Sequence, residues 1–418
     1  MRIARRRFLE AFGASAIGGV VSPGALRAHA EGPDAGLGPL IASIAHAIVW
    51  EGRGGAVPTW FHPRACMVPG PDGPTALMTL QLISGSDVFG PVHWSVSNDL
   101  GTTWTDPTPI PGLGRRTIGE AHEEGVCDVV PDYHRPTNTV LAMGHNVYYR
   151  RGVLARPQGP RYPVYTVRDA EGNWSAPQKL AWDDPRATAI YTSGCSQRIM
   201  LPDGDVLVPL SFGPQGRTDR SVTSARCAFD GSRLAIGEVG SELRNPAGRG
   251  LLEPSLALLD GRYYMTLRAE DGRGYVSTSD DGLRWQPIRA WAWDDGTPLD
   301  MSTTQQHWMV HSDGLFLVYT RKAAENVNVF RWRAPVYAAA VDRRRLRLVR
   351  QTERIVLPLV GDGVDDPDHV ARMGNFHVTP ASPDESWVTA GETLPHDGWQ
   401  GNMLLARVRW TVPNRLAR

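Results

Sequence analysis

The sequence predicts an all-β protein arranged as a six-bladed β-propeller, and three observations carry that expectation. Glycine (44), proline (33) and tryptophan (14) accompany short Val/Leu/Tyr/Trp runs broken by turn residues. Helical periodicity is absent beyond the amino-terminal segment, which leaves short apolar strands as the repeating element. One design, an apolar strand, a tight turn usually carrying Asp-Gly and a second apolar strand, recurs six times along the chain.

The amino terminus stands apart from this repeat. ARRRFLEAFGASAIGGVV joins Arg5, Arg6 and Arg7 to a short, weakly apolar run, the pattern of a twin-arginine export signal. Ala11 to Val21 falls short of the roughly 18 apolar residues that a membrane helix needs, and Ala28-His29-Ala30 offers a small-x-small cleavage pattern. The expectation is a leader over residues 1–30 that engages the twin-arginine translocase. The mature chain is then periplasmic or secreted, with no membrane insertion, and residues 36–418 form a single propeller domain.

The six hairpins are MVPGPDGPTALMTLQ from Met67, VVPDYHRPTNTVLAMGH from Val129, IMLPDGDVLVPLS from Ile199, LALLDGRYYMTLR from Leu256, MVHSDGLFLVYTR from Met309 and VTPASPDESWVTAGE from Val378. With Asp72, Pro136, Asp203, Asp260, Asp313 and Asp384 as turn markers, the spacings are 64, 67, 57, 53 and 71. Units of that size fit four-stranded blades set radially. Gly401 to Trp410 supplies a strand that closes the ring with the segment near Ile44.

Two octets fall after their hairpins, SNDLGTTW (Ser97, Asp99, Gly101, Trp104) and TSDDGLRW (Thr278, Asp280, Gly282, Trp285). An Asp and a Gly before a Trp suit a tight turn in which the carboxylate accepts backbone N–H bonds and the indole packs between strands. They are therefore read as structural punctuation.

In a hairpin the residue entering the first strand and the residue leaving the second lie at one end, so both classes gather round one mouth of a propeller. The leaving positions carry Gln81, His145, Ser211, Arg268, Arg321 and Glu392. The entering positions carry Arg64, Cys195, Glu253, Gln305 with nearby His307, and Phe376 beside His377. Clustered arginines present planar donor forks that match a carboxylate, and nearby Glu and Asp supply acid/base capacity. Lys+Arg and Asp+Glu balance at 44 each, which removes the electrostatic argument for nucleic acid or an anionic membrane and makes any anion site local. Cys66, Cys127, Cys195 and Cys227 show no CxxC or Cys/His zinc spacing, and either two disulfides or four free buried thiols fit them. No metal and no cofactor is implied.

These octets, together with EPSLALLDGRYYMTLR, resemble the sialidase and BNR (Asp-box) repeat superfamily, and the chain looks exo-sialidase-like in blade order. The resemblance implies Arg64, Arg268 and Arg321 as substrate-binding arginines, with Arg331 and Arg333 as competitors for the third. It implies Asp87 as acid/base and Glu253 as the carboxylate that polarises a nucleophile, with Glu392 retained in the last blade. The position of the family's nucleophilic tyrosine holds Phe376, which cannot attack an anomeric carbon. Three readings follow. The first is an exo-glycoside hydrolase releasing a terminal acidic sugar, with Asp87, Glu253 and Glu392 as its carboxylates. The second is a lyase acting on a uronic acid by β-elimination, with Arg neutralising the carboxylate and a His or Tyr as base from among His134, His145, His307, His377, Tyr133 and Tyr148, chiefly His145 or His377. Gln81 and His307 are also expected to bind substrate. The third is a carbohydrate-binding propeller without catalysis.

Overall fold

The computed structural model describes residues 7–8, 40–55, 59–71 and 73–417. The expected leader over residues 1–30 lies outside the described residues apart from Arg7–Phe8, and so does the turn marker Asp72. Six antiparallel sheets follow one another along the chain, each opening with one of the six hairpins. The first blade runs Trp60–Val68, Thr75–Gly85, Val88–Ser97 and Thr108–Pro109 from the axis outward. Among the described residues the only helices are short 3-10 turns, and no helix is long and apolar enough to cross a membrane.

Apolar residues on both faces of the inner strands follow from the stacking of blades, because each sheet is covered by its two neighbours. Val206–Gly213 is buried at every position. The core is accordingly split into layers between blades. Leu141, Met143, Val206 and Val208 join blades 2 and 3, and Met309, Phe316, Val378 and Val388 join blades 5 and 6. Hydrogen bonds stitch other seams, from Thr79 Oγ1 of blade 1 to the Val129 carbonyl of blade 2 at 2.7 Å and from Thr379 Oγ1 of blade 6 to the Ala65 carbonyl of blade 1 at 2.9 Å. The ring closes as expected: Ile41–Trp50 pairs with Met403–Trp410, with Ile44 opposite Val408, and Arg7–Phe8 pairs on its outer edge.

The octets lie at turns between third and fourth strands. Asp99 accepts the amides of Thr102 at 2.9 Å and Thr103 at 2.7 Å, while Ser97 Oγ accepts that of Gly101 at 2.7 Å. Trp104 packs against Trp387 of blade 6, and Trp285 donates to Ser224 of blade 3, so the indoles span the seam between blades rather than strands of one sheet. The second octet corrects the expected assignment. Ser279, not Thr278, accepts the Gly282 amide, and Asp281, not Asp280, accepts those of Leu283 at 2.9 Å and Arg284 at 2.7 Å. Its turn has one residue fewer between hydroxyl and glycine, which moves the functional carboxylate next to Gly282. Thr278 accepts a bond from Arg262 instead, and Asp280 is exposed. The same device recurs without the full motif, since Asp169, Asp230 and Asp342 accept turn amides at the corresponding corners of blades 2, 3 and 5.

One backbone irregularity positions the mouth. The inner strands of blades 1, 2 and 4 break register with their partners between Phe61 and Arg64, between Cys127 and Val130, and between Leu252 and Ser255. A side-chain-bearing residue in the left-handed region sits in each break: His62 (φ 53°), Asp128 (φ 58°) and Glu253 (φ 45°). Cys195 (φ 54°) repeats the conformation in blade 3. Such residues cost roughly 1–3 kcal/mol each and persist only where their surroundings hold them. A bulge places extra chain on one strand and re-aims a side chain, here toward the mouth.

Candidate functional site

The three bulge residues and Cys195 border a single cleft of about 540 Å³ at one end of the propeller axis. Asp87, at the tip of the hairpin joining the second and third strands of blade 1, stands on its rim with φ 57° and is exposed. Asp128 is the electrostatic centre. Arg64 Nη2 donates to its Oδ1 at 2.5 Å, and His62 Nδ1 lies 3.4 Å from the same oxygen. Burial opposes the charge on Asp128, but His62, Arg64 and His145 together hold its carboxyl well below the usual range. His62 itself is pushed down to about 3, chiefly by burial, so its imidazole is neutral at pH 7. Burial and Arg161 lower His145 in the same direction. The His145 ring is backed by Gly194, where an added Cβ would stand 2.0 Å from Nδ1.

Glu253 accepts from Arg268 Nη1 at 2.6 Å through Oε1, while its buried Oε2 has no hydrogen-bond partner. Arg268 is one of eight arginines on the wall. Blade 2 supplies Arg156 and Arg161, blade 3 and the loop after it Arg220 and Arg249, blade 5 Arg331 and Arg333, and the entry to blade 6 Arg372. Facing them are four acidic residues, Asp87, Asp128, Glu253 and Glu270. Arg249 is spent on Glu270, yet Arg156, Arg161, Arg220, Arg331 and Arg333 have no carboxylate partner among the described residues. Burial and the nearby charges lower Arg220 and Arg333 to about 10, still charged at neutral pH. A desolvated cation without a counter-ion is costly, and a bound anion would offset that cost at Arg220 and Arg333.

The expected site residues divide. Asp87, Glu253, His145 and Arg268 border the cleft, whereas Arg64, Gln81, His307, His377, Glu392 and Arg321 do not. Arg64 lies fully buried behind Asp128: the first hairpin has a longer turn, which moves the mouth position back to His62. Gln81 is spent on the carbonyls of Gly90 and Val126. His307 and His377 stack edge to face below the mouth, with Phe376 packed against His307 in the core. Glu392 points to the opposite side of its strand from Thr393, which borders the cleft, and is held by Arg53 at 2.6 and 2.9 Å. Arg321 turns away to a separate cavity beside Trp293, where Glu353 takes it at 2.7 and 2.5 Å; Arg331 and Arg333 fill the blade 5 side of the mouth instead. Cys66, Cys127, Cys195 and Cys227 are free and buried. No tyrosine borders the cleft among the described residues.

Asp128 is the residue that strand-end reasoning passed over, although its signal was present: it stands eight residues before the Pro136 marker, the offset that picks out Cys195 before Asp203. Arg220, Arg156 and Arg161 carry no such signal, because they reach the mouth from loops whose course is not periodic.

No family model matches the chain, and no curated protein matches it. Solved structures do. The Trypanosoma rangeli sialidase superposes with a TM-score of 0.59 at 14% identity, over 87% of this chain and 59% of that one. A Hadza microbial sialidase gives 0.55 at 13% identity, over 84% of this chain and 66% of that one. The intramolecular trans-sialidase from Ruminococcus gnavus gives 0.52 at 12% identity, over 83% and 94%. This chain thus spans about three fifths of the length of the first, and the likeness at these identities is one of fold: a six-bladed propeller of the kind on which sialidases are built.

Proposed function

We propose that this chain is an exported, sialidase-like exo-glycoside hydrolase that removes a terminal acidic sugar from a glycan or polysaccharide. The observation that carries the reading is the set of five arginines without carboxylate partners facing Asp87 and Glu253 across one cleft. The Trypanosoma rangeli sialidase has been solved with sialic acid, which supports a carboxylated sugar as the ligand class for this fold. The sugar carboxylate lies against Arg220 and Arg333, where two-point hydrogen bonds supply the missing counter-ion, beside Arg268, which Glu253 already holds. Asp87, open to solvent, protonates the leaving glycosidic oxygen. Glu253, which borders the cleft, takes the proton from the water that adds to the anomeric carbon. With Phe376 in the core, no tyrosine nucleophile enters this scheme.

One observation favours a second reading. His145 borders the cleft as a neutral imidazole, which suits abstraction of a sugar-ring proton α to a carboxylate that arginines have neutralised, hence β-elimination. Incubation with sialyl- and uronate-terminated oligosaccharides separates the cases. Release with a gain of one water and no new ultraviolet absorbance supports hydrolysis. An unsaturated, absorbing product without added water would replace it with elimination, and saturable binding without turnover would leave a sugar-binding propeller. Export rests on the arginine pattern of the leader, and its test is whether Arg6→Lys with Arg7→Lys keeps the chain in the cytoplasm.

A further inference from the structure

Asp128 divides its two oxygens. Oδ1 faces Arg64 at 2.5 Å, His62 at 3.4 Å and Asn375 Nδ2 at 3.4 Å. Oδ2 lies 3.8 Å from Cys127 Sγ and 3.9 Å from His145 Nε2, and all three residues border the cleft. Cys127 Sγ and His145 Nε2 are themselves 3.3 Å apart. In a regular strand the adjacent residues 127 and 128 would point to opposite faces; the bulge and the left-handed Asp128 bring both to one point, opposite His145 on the paired strand.

A thiol, an imidazole and a carboxylate together suggest a nucleophile relay, but the geometry is wrong for one. In a relay the carboxylate orients the imidazole through the ring nitrogen that the nucleophile does not use. Here sulfur and carboxylate converge on the same nitrogen, Nε2, and Nδ1 is buried without a partner. Three donor atoms of different type within 4.8 Å of one another are a coordination face. A tetrahedral ion with ligands at about 2.0–2.3 Å would set them roughly 3.3–3.6 Å apart, close to the spacings seen.

We propose that Cys127, Asp128 and His145 form a binding site for a borderline-soft divalent metal ion, zinc in the first instance, with its fourth position open to the arginine-lined cleft. The donor set excludes magnesium and calcium, which take oxygen ligands, and suits zinc or cobalt. Binding breaks the Cys127 S–H bond: the sulfur electron pair goes to the metal and the proton leaves to buffer. Arg64 then acts from behind, holding Oδ1 so that Oδ2 is presented. Three protein ligands and one open position are the arrangement of a catalytic rather than a closed structural zinc site. The inference goes beyond the glycosidase reading and stands or falls without it, since it is read by metal rather than by sugar.

The test is cobalt titration of the chelator-treated, purified chain. The expected result is one equivalent bound with a thiolate-to-cobalt charge-transfer band, release of one proton, and displacement of the band by zinc. Cys127→Ser and His145→Ala should lose the band, while Cys66→Ser, away from the cleft, should keep it. Wild-type protein with no charge-transfer band overturns the proposal, as does a band that survives in Cys127→Ser; either result leaves the three groups as a hydrogen-bonded cluster. Should the variants fold poorly, zinc must still raise the melting temperature of the wild type, and failure to do so counts against the site.

Discussion

Arg333 and Arg321 belong to the same blade and face opposite electrostatic situations. Arg333 is desolvated beside other arginines and without a carboxylate, so its charge is a cost to the free fold that a bound anion would offset. Replacing it with Met is expected to leave stability unchanged or raise it by about 1 kcal/mol, while weakening substrate capture about tenfold to a hundredfold, the worth of one charge-assisted hydrogen bond. Arg321→Met should do the reverse. It leaves Glu353 with the Tyr319 hydroxyl but no cation and is expected to cost about 2 kcal/mol, with KM unchanged. Denaturant melts beside saturation kinetics check both; a binding loss in Arg321→Met alone would place the anion site in the wrong cavity. Residue identity was readable here, as Arg331 and Arg333 were visible alternatives, but the choice among three arginines depends on where a loop turns, which no local pattern encodes.

At the scale of elements, the corner turns make a sharp prediction. Asp281→Asn removes a carboxylate that accepts two amides and should cost roughly 1 kcal/mol, whereas Asp280→Asn should stay within about 0.5 kcal/mol. Comparable losses in both would restore the original assignment of the octet. The six hairpins were legible because strand and turn chemistry are local. The bulges were not, because one inserted residue leaves no mark on composition, and one longer turn moved the mouth position of blade 1 from Arg64 to His62. Closure of the ring is also an element-scale claim. Removing Ile41–Trp50 would expose the edge of Met403–Trp410 and uncover part of the seam around Phe316 and Val408 that Ile41 covers. The expected outcome is a lower melting temperature and self-association by light scattering; a monomer of unchanged stability would show the strand to be dispensable.

For the whole molecule, the histidines round the axis set the response to acid. Burial lowers His62 and His307 to about 3, and His145 and His377 lie well below their ordinary value. In the unfolded chain they titrate near 6.5, so between that pH and their folded values the unfolded state binds more protons. Stability is therefore complete above about pH 7 and falls as pH drops, at ~1.4 kcal/mol per pH unit for each such histidine. Asp132, whose carboxyl burial raises to about 6, and His369, raised by Asp366, each oppose with one proton. The net loss remains, and urea melts at pH 7 and pH 5 measure it; equal stability at the two would contradict neutral buried histidines.

Blade number, hairpin positions, ring closure and the presence of a cationic, carboxylate-bearing mouth were all readable from residues in order, since each depends on alternation and turn chemistry within a few tens of residues. Assembly alone decided which charges share the mouth. Glu392 and Arg321 satisfy every local criterion yet turn to Arg53 and Glu353, while Asp128, Arg220 and Arg333 enter from separate blades. Electrostatic partnership acts through space over a few ångströms, and the groups that meet in this cleft are separated by up to hundreds of positions along the chain.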